Sequence, residues 1–201
     1  MALLETADST SGRRRSTGLP HRRWKGHPHA GIDFPDINTI ADDVILVRSA
    51  VSELLGVLRE DIAIVAGIDL GGAGLAGAVA ALRGVGFMHV RKVGSLRPEI
   101  VRSVVSNHDI GHGLALSKGM RITGQRIAIM DDCLLSGATA LAAVRLLRDL
   151  GAICDQALFA FELEGLGGRA MLAQAGVSVH AAAVVPPQAP QDKAPQDKAC
   201  A

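Results

Sequence analysis

The chain has 201 residues, of which 48% are hydrophobic, and its 21 basic side chains nearly balance its 20 acidic ones. This length suits one α/β domain and leaves little room for a second. The net charge of +1 excludes a general attraction to nucleic acid or membrane, so any anion site must be local. Three cysteines without metal-ligand spacing, and the lack of a long apolar run, predict a cytoplasmic protein without a membrane partner.

The two ends differ in composition from the middle of the chain. Residues 1–27 carry six basic and two acidic side chains among Ser, Thr, Gly and Pro, which predicts a disordered basic arm. Contact of this arm with nucleic acid is not favoured, because it lacks interleaved aromatic residues. Residues 186–201 contain the repeated unit Ala-Pro-Gln-Asp-Lys, which predicts a disordered tail. The domain is therefore expected to span residues 28–185.

Short β-branched runs alternate with helical patterns between these ends, and this order predicts a mostly parallel sheet flanked by helices. The patterns predict helices at 43–58, 73–82, 138–150 and 166–175, and strands at 61–66, 86–90, 126–130, 154–161 and 177–182. The strands are continuously apolar, as expected when helices cover both faces of a sheet.

The segment from Arg126 to Thr139 is the most informative part of the sequence. An apolar strand leads into Asp131 and Asp132, and a turn of small residues then leads into a helix. Ligands of an open parallel sheet collect beyond the carboxyl ends of its strands. The helix start after the turn directs backbone N–H groups and positive dipole into the loop, which favours a phosphate there.

Two interpretations of this segment are possible. The adjacent carboxylates can accept hydrogen bonds from sugar hydroxyls, while the turn binds a phosphate attached to that sugar. Alternatively, Ser136 is an ordinary helix N-cap and the aspartates simply end a strand. The order and spacing of the parts favour a sugar-phosphate site.

The segment resembles the ribose-phosphate signature of type I phosphoribosyltransferases, and the chain is most similar to the adenine-specific branch of that family. Further similarity lies at Gly31–Ile37, Val65–Asp69, Gly86–Lys92 and Phe161–Arg169. The resemblance implies a type I phosphoribosyltransferase fold with a flexible lid, and a homodimer. It also implies that the ligands are phosphoribosyl pyrophosphate and a purine base, with Mg²⁺ bound through the donor's phosphates rather than by a protein metal site.

The resemblance also assigns roles to residues. It gives Asp131 and Asp132 to the ribose hydroxyls, and it places Phe34 near the purine. The turn that would hold the donor's phosphate consists of Leu135, Ser136, Gly137, Ala138 and Thr139, and the residues near the pyrophosphate are Arg91, Lys92 and Gly71.

The sequence departs from the family pattern in the pyrophosphate loop and in the lid, and also at Pro35, where an arginine is common, and after Lys92, where another lysine is expected. Gly71 stands where the family has an arginine in its pyrophosphate loop, so one guanidinium donor is missing. In the lid, which the resemblance places at residues 106–111, Asp109 matches the glutamate that handles the proton of the purine, and it is therefore the candidate catalytic residue. His108 and His112 are alternatives for this role, because imidazole titrates near neutrality.

The predicted function is transfer of the phosphoribosyl group to a purine, most simply adenine, with release of pyrophosphate and formation of AMP in purine salvage. Two alternatives remain open at this point. One is a regulatory protein that binds the donor without turnover, and the other is a transferase with an unusual acceptor.

Overall fold

The computed structural model describes residues 19–93, 101–107, 112–117 and 119–188. The helices are α1 (Asn38–Ala41), α2 (Val44–Val57), α3 (Asp69–Arg83), α4 (Ala138–Asp149) and α5 (Gly168–Gln174). The strands are β1 (Arg23–Lys25), β2 (Asp33–Pro35), β3 (Ile64–Ile68), β4 (Gly86–Val93), β5 (Val101–Asn107), β6 (His112–Ser117), β7 (Arg126–Leu134), β8 (Ile153–Leu163) and β9 (Ser178–Val185).

The main sheet formed by the described residues has seven strands in the order β5-β6-β4-β3-β7-β8-β9. The pairs from β4 through β3, β7 and β8 to β9 are all parallel, which confirms the predicted α/β class. The apolar strands carry buried clusters on both faces, one containing Ile68 and Phe159, the other containing Val65 and Phe161. Helices therefore cover both sides of the sheet, as the continuous apolar pattern of the strands predicts.

All four predicted helices and five predicted strands are present, with shifted ends. The largest shifts are four residues: β7 ends at Leu134 rather than at residue 130, and α3 begins at Asp69 rather than at residue 73. Gly71 and Gly72 weaken the helical pattern, since glycine is a poor helix former. The helix nevertheless continues through them because only glycine allows its first turn to lie this close to β7: a Cβ on Gly72 would be 2.3 Å from the Met130 carbonyl oxygen.

An antiparallel extension of the sheet was not predicted. β4 runs three residues beyond the predicted end at Val90, and there it pairs with β6, which in turn pairs with β5. Ser106 and Asn107, assigned to the lid by resemblance, belong to the end of β5. The rest of the proposed lid, residues 108–111, lies outside the described residues, and so does Asp109.

The predicted boundaries of the two disordered ends are wrong for the residues that the structure describes. Leu19 is buried, and β1 pairs with β2 in a small antiparallel sheet in which Trp24 lies opposite Phe34. From the predicted tail, the carbonyl oxygen of Pro187 accepts a hydrogen bond of 2.7 Å from the backbone N–H of Asp33. Backbone pairing, which composition does not reveal, thus extends the domain; residues 1–18 and 189–201 lie outside the described part.

Among the described residues, the structure contains no helix long and apolar enough to span a membrane.

Candidate active site

A cavity of about 550 Å³ lies at the carboxyl ends of the central strands. Its walls come from the connection between β1 and β2, from β2 itself, from the end of β4 and from residues 131–140, with Phe159 on β8 and Leu166 before α5 completing them. This position follows from the fold, because the loops after parallel strands meet at one edge of the sheet. The cavity therefore joins the predicted sugar-phosphate segment to Phe34, which also contributes to its wall.

The turn between β7 and α4 forms one end of the cavity. Gly137 is the N-cap residue of α4 and has φ 84°, a left-handed conformation that glycine adopts without a Cβ penalty. No side chain caps this helix, so the alternative in which Ser136 is its N-cap is wrong. The Ser136 hydroxyl instead accepts a long hydrogen bond of 3.5 Å from the backbone N–H of Ala138. The turn and the first turn of α4 form an anion-binding geometry.

The N-terminal end of α5 packs against this turn. A Cβ on Gly168 would lie 2.2 Å from the carbonyl oxygen of Leu135, and a Cβ on Gly137 would lie 3.0 Å from the carbonyl oxygen of Gly168. Arg169 next to it pairs with the buried carboxylate of Glu162 on β8, with hydrogen bonds of 3.0 and 3.1 Å from its Nε. The turn is therefore packed against a helix that is itself tied to the sheet.

The two aspartates lie side by side at the end of β7. The Asp131 carboxylate accepts a hydrogen bond of 2.9 Å from the backbone N–H of Asp132. Burial raises the pKa of Asp131 well above its usual range, and the nearby charge of Asp132 adds to this effect. Burial also raises the pKa of Asp132. A buried acid beside a half-buried one is costly for folding, which is typical of groups kept for binding.

Lys92 on β4 is the one Lys or Arg among the described residues that line the cavity. Its charge acts on both aspartates and opposes the rise in their pKa values. Its Nζ also lies 4.0 Å from a carboxylate oxygen of Asp69. A cation held between carboxylates on two neighbouring strand ends is placed to meet a second anionic group of a ligand.

The first turn of α3, which follows β3 without a loop, lies against the same aspartates. Asp69 has φ 48°, an unfavourable value for a residue with a side chain. A Cβ on Gly71 would lie 2.4 Å from a carboxylate oxygen of Asp132. The carboxylate of Asp132 thus occupies the space that any side chain at position 71 would enter.

The comparisons with known proteins agree with this geometry. An adenine phosphoribosyltransferase of Chelativorans sp. (strain BNC1) is 40% identical over 158 residues, which cover 76% of this chain and 85% of the relative. The crystal structure of adenine phosphoribosyltransferase from Rhodothermus marinus matches with a TM-score of 0.70 at 32% identity, covering 82% of this chain and 94% of that one. The Giardia lamblia enzyme, complexed with 9-deazaadenine, matches with a TM-score of 0.70 at 25% identity, covering 82% and 93%. No protein-family model matches the chain.

The chain belongs to the adenine phosphoribosyltransferase family. The identity and coverage of the Chelativorans relative establish this membership, which confirms the resemblance and the fold predicted from the sequence.

In this member of the adenine phosphoribosyltransferase family, most of the predicted site residues meet at one cavity. The cavity wall contains Phe34, Lys92, Asp131, Asp132, Leu135, Ser136, Gly137, Ala138 and Thr139. Arg91 does not line it, since successive side chains of a strand point to opposite faces. Gly71 lies behind it, against Asp132.

His27 and His29 line the cavity but were not predicted from the sequence. Both lie on the connection between β1 and β2, and the ring of His27 packs perpendicular to that of Phe34 with centroids 5.7 Å apart. The sequence offered a weak signal, two histidines flanking Pro28, but residue 27 fell within the predicted arm. Only the pairing of β1 with β2 brings them to the site.

Proposed function

We propose that this chain is an adenine phosphoribosyltransferase, which transfers the phosphoribosyl group of phosphoribosyl pyrophosphate to adenine. The products are AMP and pyrophosphate, and the reaction serves purine salvage. The observation that carries this proposal is the single cavity in which Asp131, Asp132 and the turn of residues 135–139 lie together with Phe34. Family membership and the adenine analogue bound by the Giardia enzyme support adenine as the acceptor.

Different residues along the cavity would contact different parts of the donor and the base. Backbone N–H groups of residues 135–139 would hold the donor's phosphate, and the two aspartates would accept hydrogen bonds from its ribose hydroxyls. Lys92 would meet the pyrophosphate, while Phe34 would lie against the base. The protein needs no nucleophile of its own, because positioning and charge stabilisation suffice for this displacement.

Mg²⁺ is proposed as the accompanying ion. Mg²⁺ commonly binds through substrate phosphates and one or two carboxylates, and Asp131 and Asp132 are the described carboxylates at the cavity. No group of three or more His, Cys, Asp or Glu among the described residues could hold a metal ion by itself. When bound, the ion would offset negative charge on the leaving pyrophosphate.

Asp109 stays the proposed proton-handling residue of the lid, on the strength of the resemblance alone.

A homodimer and a cytoplasmic location are also proposed from the family. Exposed apolar side chains of Val44, Ile45 and Leu70 near α2 and α3 offer a surface that a second copy can cover. Sedimentation of the purified chain tests the dimer, and a monomer would contradict it.

The proposed function is tested by incubating the purified chain with phosphoribosyl pyrophosphate, Mg²⁺ and a panel of bases while pyrophosphate release is followed. We expect turnover with adenine ahead of other bases. Calorimetric binding of the donor without turnover of any base would overturn the enzyme assignment and support a regulatory role. Turnover only with a base other than a purine would support the unusual-acceptor alternative.

The donor site is tested by replacing Asp131→Asn together with Asp132→Asn. We expect donor binding to be lost, because amides accept fewer hydrogen bonds and carry no charge. Asp149→Asn, at an exposed position on α4, is the matched control and should bind the donor normally. Retained affinity in the double variant would contradict the assignment of the site.

A further inference from the structure

Asp69 has an unusual backbone conformation. It is the one residue other than glycine, among those the structure describes, with a positive φ, and side chains disfavour such values because the Cβ approaches the carbonyl oxygen. It follows β3 directly and begins α3, whose N-cap residue Ile68 provides no side-chain hydrogen bond. Contacts from outside the helix must therefore hold Asp69 in this conformation.

Two side chains of β4 contact Asp69. The Nε2 of His89 donates a hydrogen bond of 2.9 Å to the Asp69 carbonyl oxygen, so the imidazole carries a hydrogen on that nitrogen. The Nζ of Lys92 lies 4.0 Å from the Asp69 carboxylate. Because the two β4 residues are three positions apart, their side chains leave opposite faces of the strand, and Asp69 meets both at the strand end.

His89 acts on the cavity only through these contacts. It is half-buried, and it is not among the described residues that line the cavity, whereas Lys92 is. A hydrogen bond to the Asp69 carbonyl oxygen fixes the peptide that sets the direction of the Asp69 side chain. His89 therefore controls which way the carboxylate nearest to Lys92 points.

The orientation of Lys92 matters because carboxylates lie on two sides of it. Its charge acts on Asp131 and Asp132 as well as on Asp69. The pair with Asp69 is partly exposed, with 34% and 39% of the two side chains accessible, so it contributes little stability. A long side chain also loses freedom when it binds an anion, and a carboxylate that orients it beforehand reduces that cost.

We propose that His89 is a positioning residue for the pyrophosphate half of the phosphoribosyl donor. Its hydrogen bond keeps Asp69 in the left-handed conformation, and Asp69 in turn orients Lys92 toward the pyrophosphate and away from the other two aspartates. This inference rests on the proposed function. The sugar and its phosphate, which the turn of residues 135–139 would bind, do not depend on His89.

The test compares two amides at one position, His89→Gln and His89→Asn. The Nε2 of glutamine lies as many bonds from the backbone as the imidazole Nε2 and can donate the same hydrogen bond, whereas asparagine is one methylene shorter and cannot reach. Calorimetry with Mg²⁺ present measures the Kd of phosphoribosyl pyrophosphate and, separately, of AMP. AMP carries the same ribose phosphate but no pyrophosphate.

We expect His89→Asn to weaken binding of phosphoribosyl pyrophosphate about five- to tenfold, as for the loss of one hydrogen bond, and to leave AMP binding unchanged. Normal AMP binding also shows that the variant is folded. His89→Gln should bind phosphoribosyl pyrophosphate within about twofold of the unchanged chain. His180→Asn, on the edge strand β9, is the matched control and should bind both ligands normally.

Three results would overturn the role of His89. Normal affinity of His89→Asn for phosphoribosyl pyrophosphate would show that the hydrogen bond is not needed. An equal loss of both ligands would show a general loss of structure. An equal loss in the glutamine and asparagine variants would show that the imidazole packs rather than donates.

A double-mutant cycle with Asp69→Gly tests the route. Glycine adopts the left-handed conformation without a penalty and offers no carboxylate to Lys92, so the hydrogen bond from His89 has nothing left to transmit. In the Asp69→Gly chain, His89→Asn should change the affinity for phosphoribosyl pyrophosphate by less than about twofold. The full loss in that chain would show that His89 does not act through Asp69.

Failure of the proposed function gives a different pattern. A chain that binds phosphoribosyl pyrophosphate and AMP but transfers phosphoribosyl to no base would overturn the enzyme assignment alone, and the two amides would still decide the role of His89. A chain that binds neither ligand would overturn both.

Discussion

At the scale of single residues, the contact between Gly71 and Asp132 determines what position 71 can hold. A Cβ there would lie 2.4 Å from the carboxylate, so any side chain must displace Asp132. We expect Gly71→Ala to destabilise the fold by about 1–3 kcal/mol through overpacking and to weaken donor binding. Urea unfolding and calorimetry measure the two effects. Gly74→Ala, in the same helix but with open space around it, is the matched control and should be neutral or stabilising.

The aspartate pair also makes a prediction about pH. Because burial raises the pKa of Asp131 in the folded chain, the folded state holds its proton to a higher pH than the unfolded state does. The pair therefore contributes stability that is present below the ordinary carboxyl pKa of about 4 and is lost as pH rises through the raised value. We expect Asp131→Asn to be more stable than the unchanged chain at neutral pH, with a smaller difference in mild acid.

Urea unfolding at several pH values measures this difference, with Asp149→Asn as the exposed control. A variant less stable than the unchanged chain at neutral pH would show that the carboxylate is satisfied rather than strained. The expected combination, higher stability with lost donor binding, is typical of a binding site that costs folding energy.

At the scale of elements, the phosphate-binding turn depends on α5 behind it. Gly168 contacts the Leu135 carbonyl oxygen so closely that a methyl group there must push the turn into the cavity. We expect Gly168→Ala to raise the KM for the donor about tenfold or more, corresponding to roughly 1.4 kcal/mol or above, with a smaller change in kcat. Steady-state kinetics test this. Gly77→Ala, which meets open space in α3, should leave the donor KM unchanged, and an equal effect in both variants would contradict the packing argument.

The helices, strands and turns differ in how well the sequence alone predicts them. The segment from Arg126 to Thr139 was predictable because its parts are consecutive, so the strand, the two acids, the turn and the helix follow one another in space. The five parallel strands were predictable from continuous apolar runs. The pairing of β1 with β2 was not, because it joins Trp24 to Phe34 across a connection whose composition resembles a disordered arm. The place of His27 in the cavity depends on that pairing.

At the scale of the whole molecule, Gln156 links α2 to the sheet at the end opposite the cavity. Its buried side-chain amide donates a hydrogen bond of 2.8 Å to the Val57 carbonyl oxygen, and it accepts a hydrogen bond of 3.2 Å from the backbone N–H of Arg59. Gln156→Leu would leave both backbone groups without these bonds, so we expect a loss of about 1–3 kcal/mol in unfolding free energy. Turnover at low temperature should not change, because the cavity lies at the other end of the strand.

Urea unfolding tests this prediction, and Gln174→Leu at an exposed position of α5 is the control, with an expected change within about 0.5 kcal/mol. Equal stability of the two variants would show that water replaces the amide of Gln156.

The position of Trp24 has a practical consequence for following ligands. It is the single tryptophan of a chain without tyrosine, it is 60% exposed, and it lies opposite Phe34 on the hairpin that covers the cavity. Indole emission from the unmodified protein therefore comes from one known place. A base that enters beside Phe34 will alter this emission, whereas a ligand confined to the phosphate-binding turn will alter it far less, so the protein carries its own optical reporter for one half of its site.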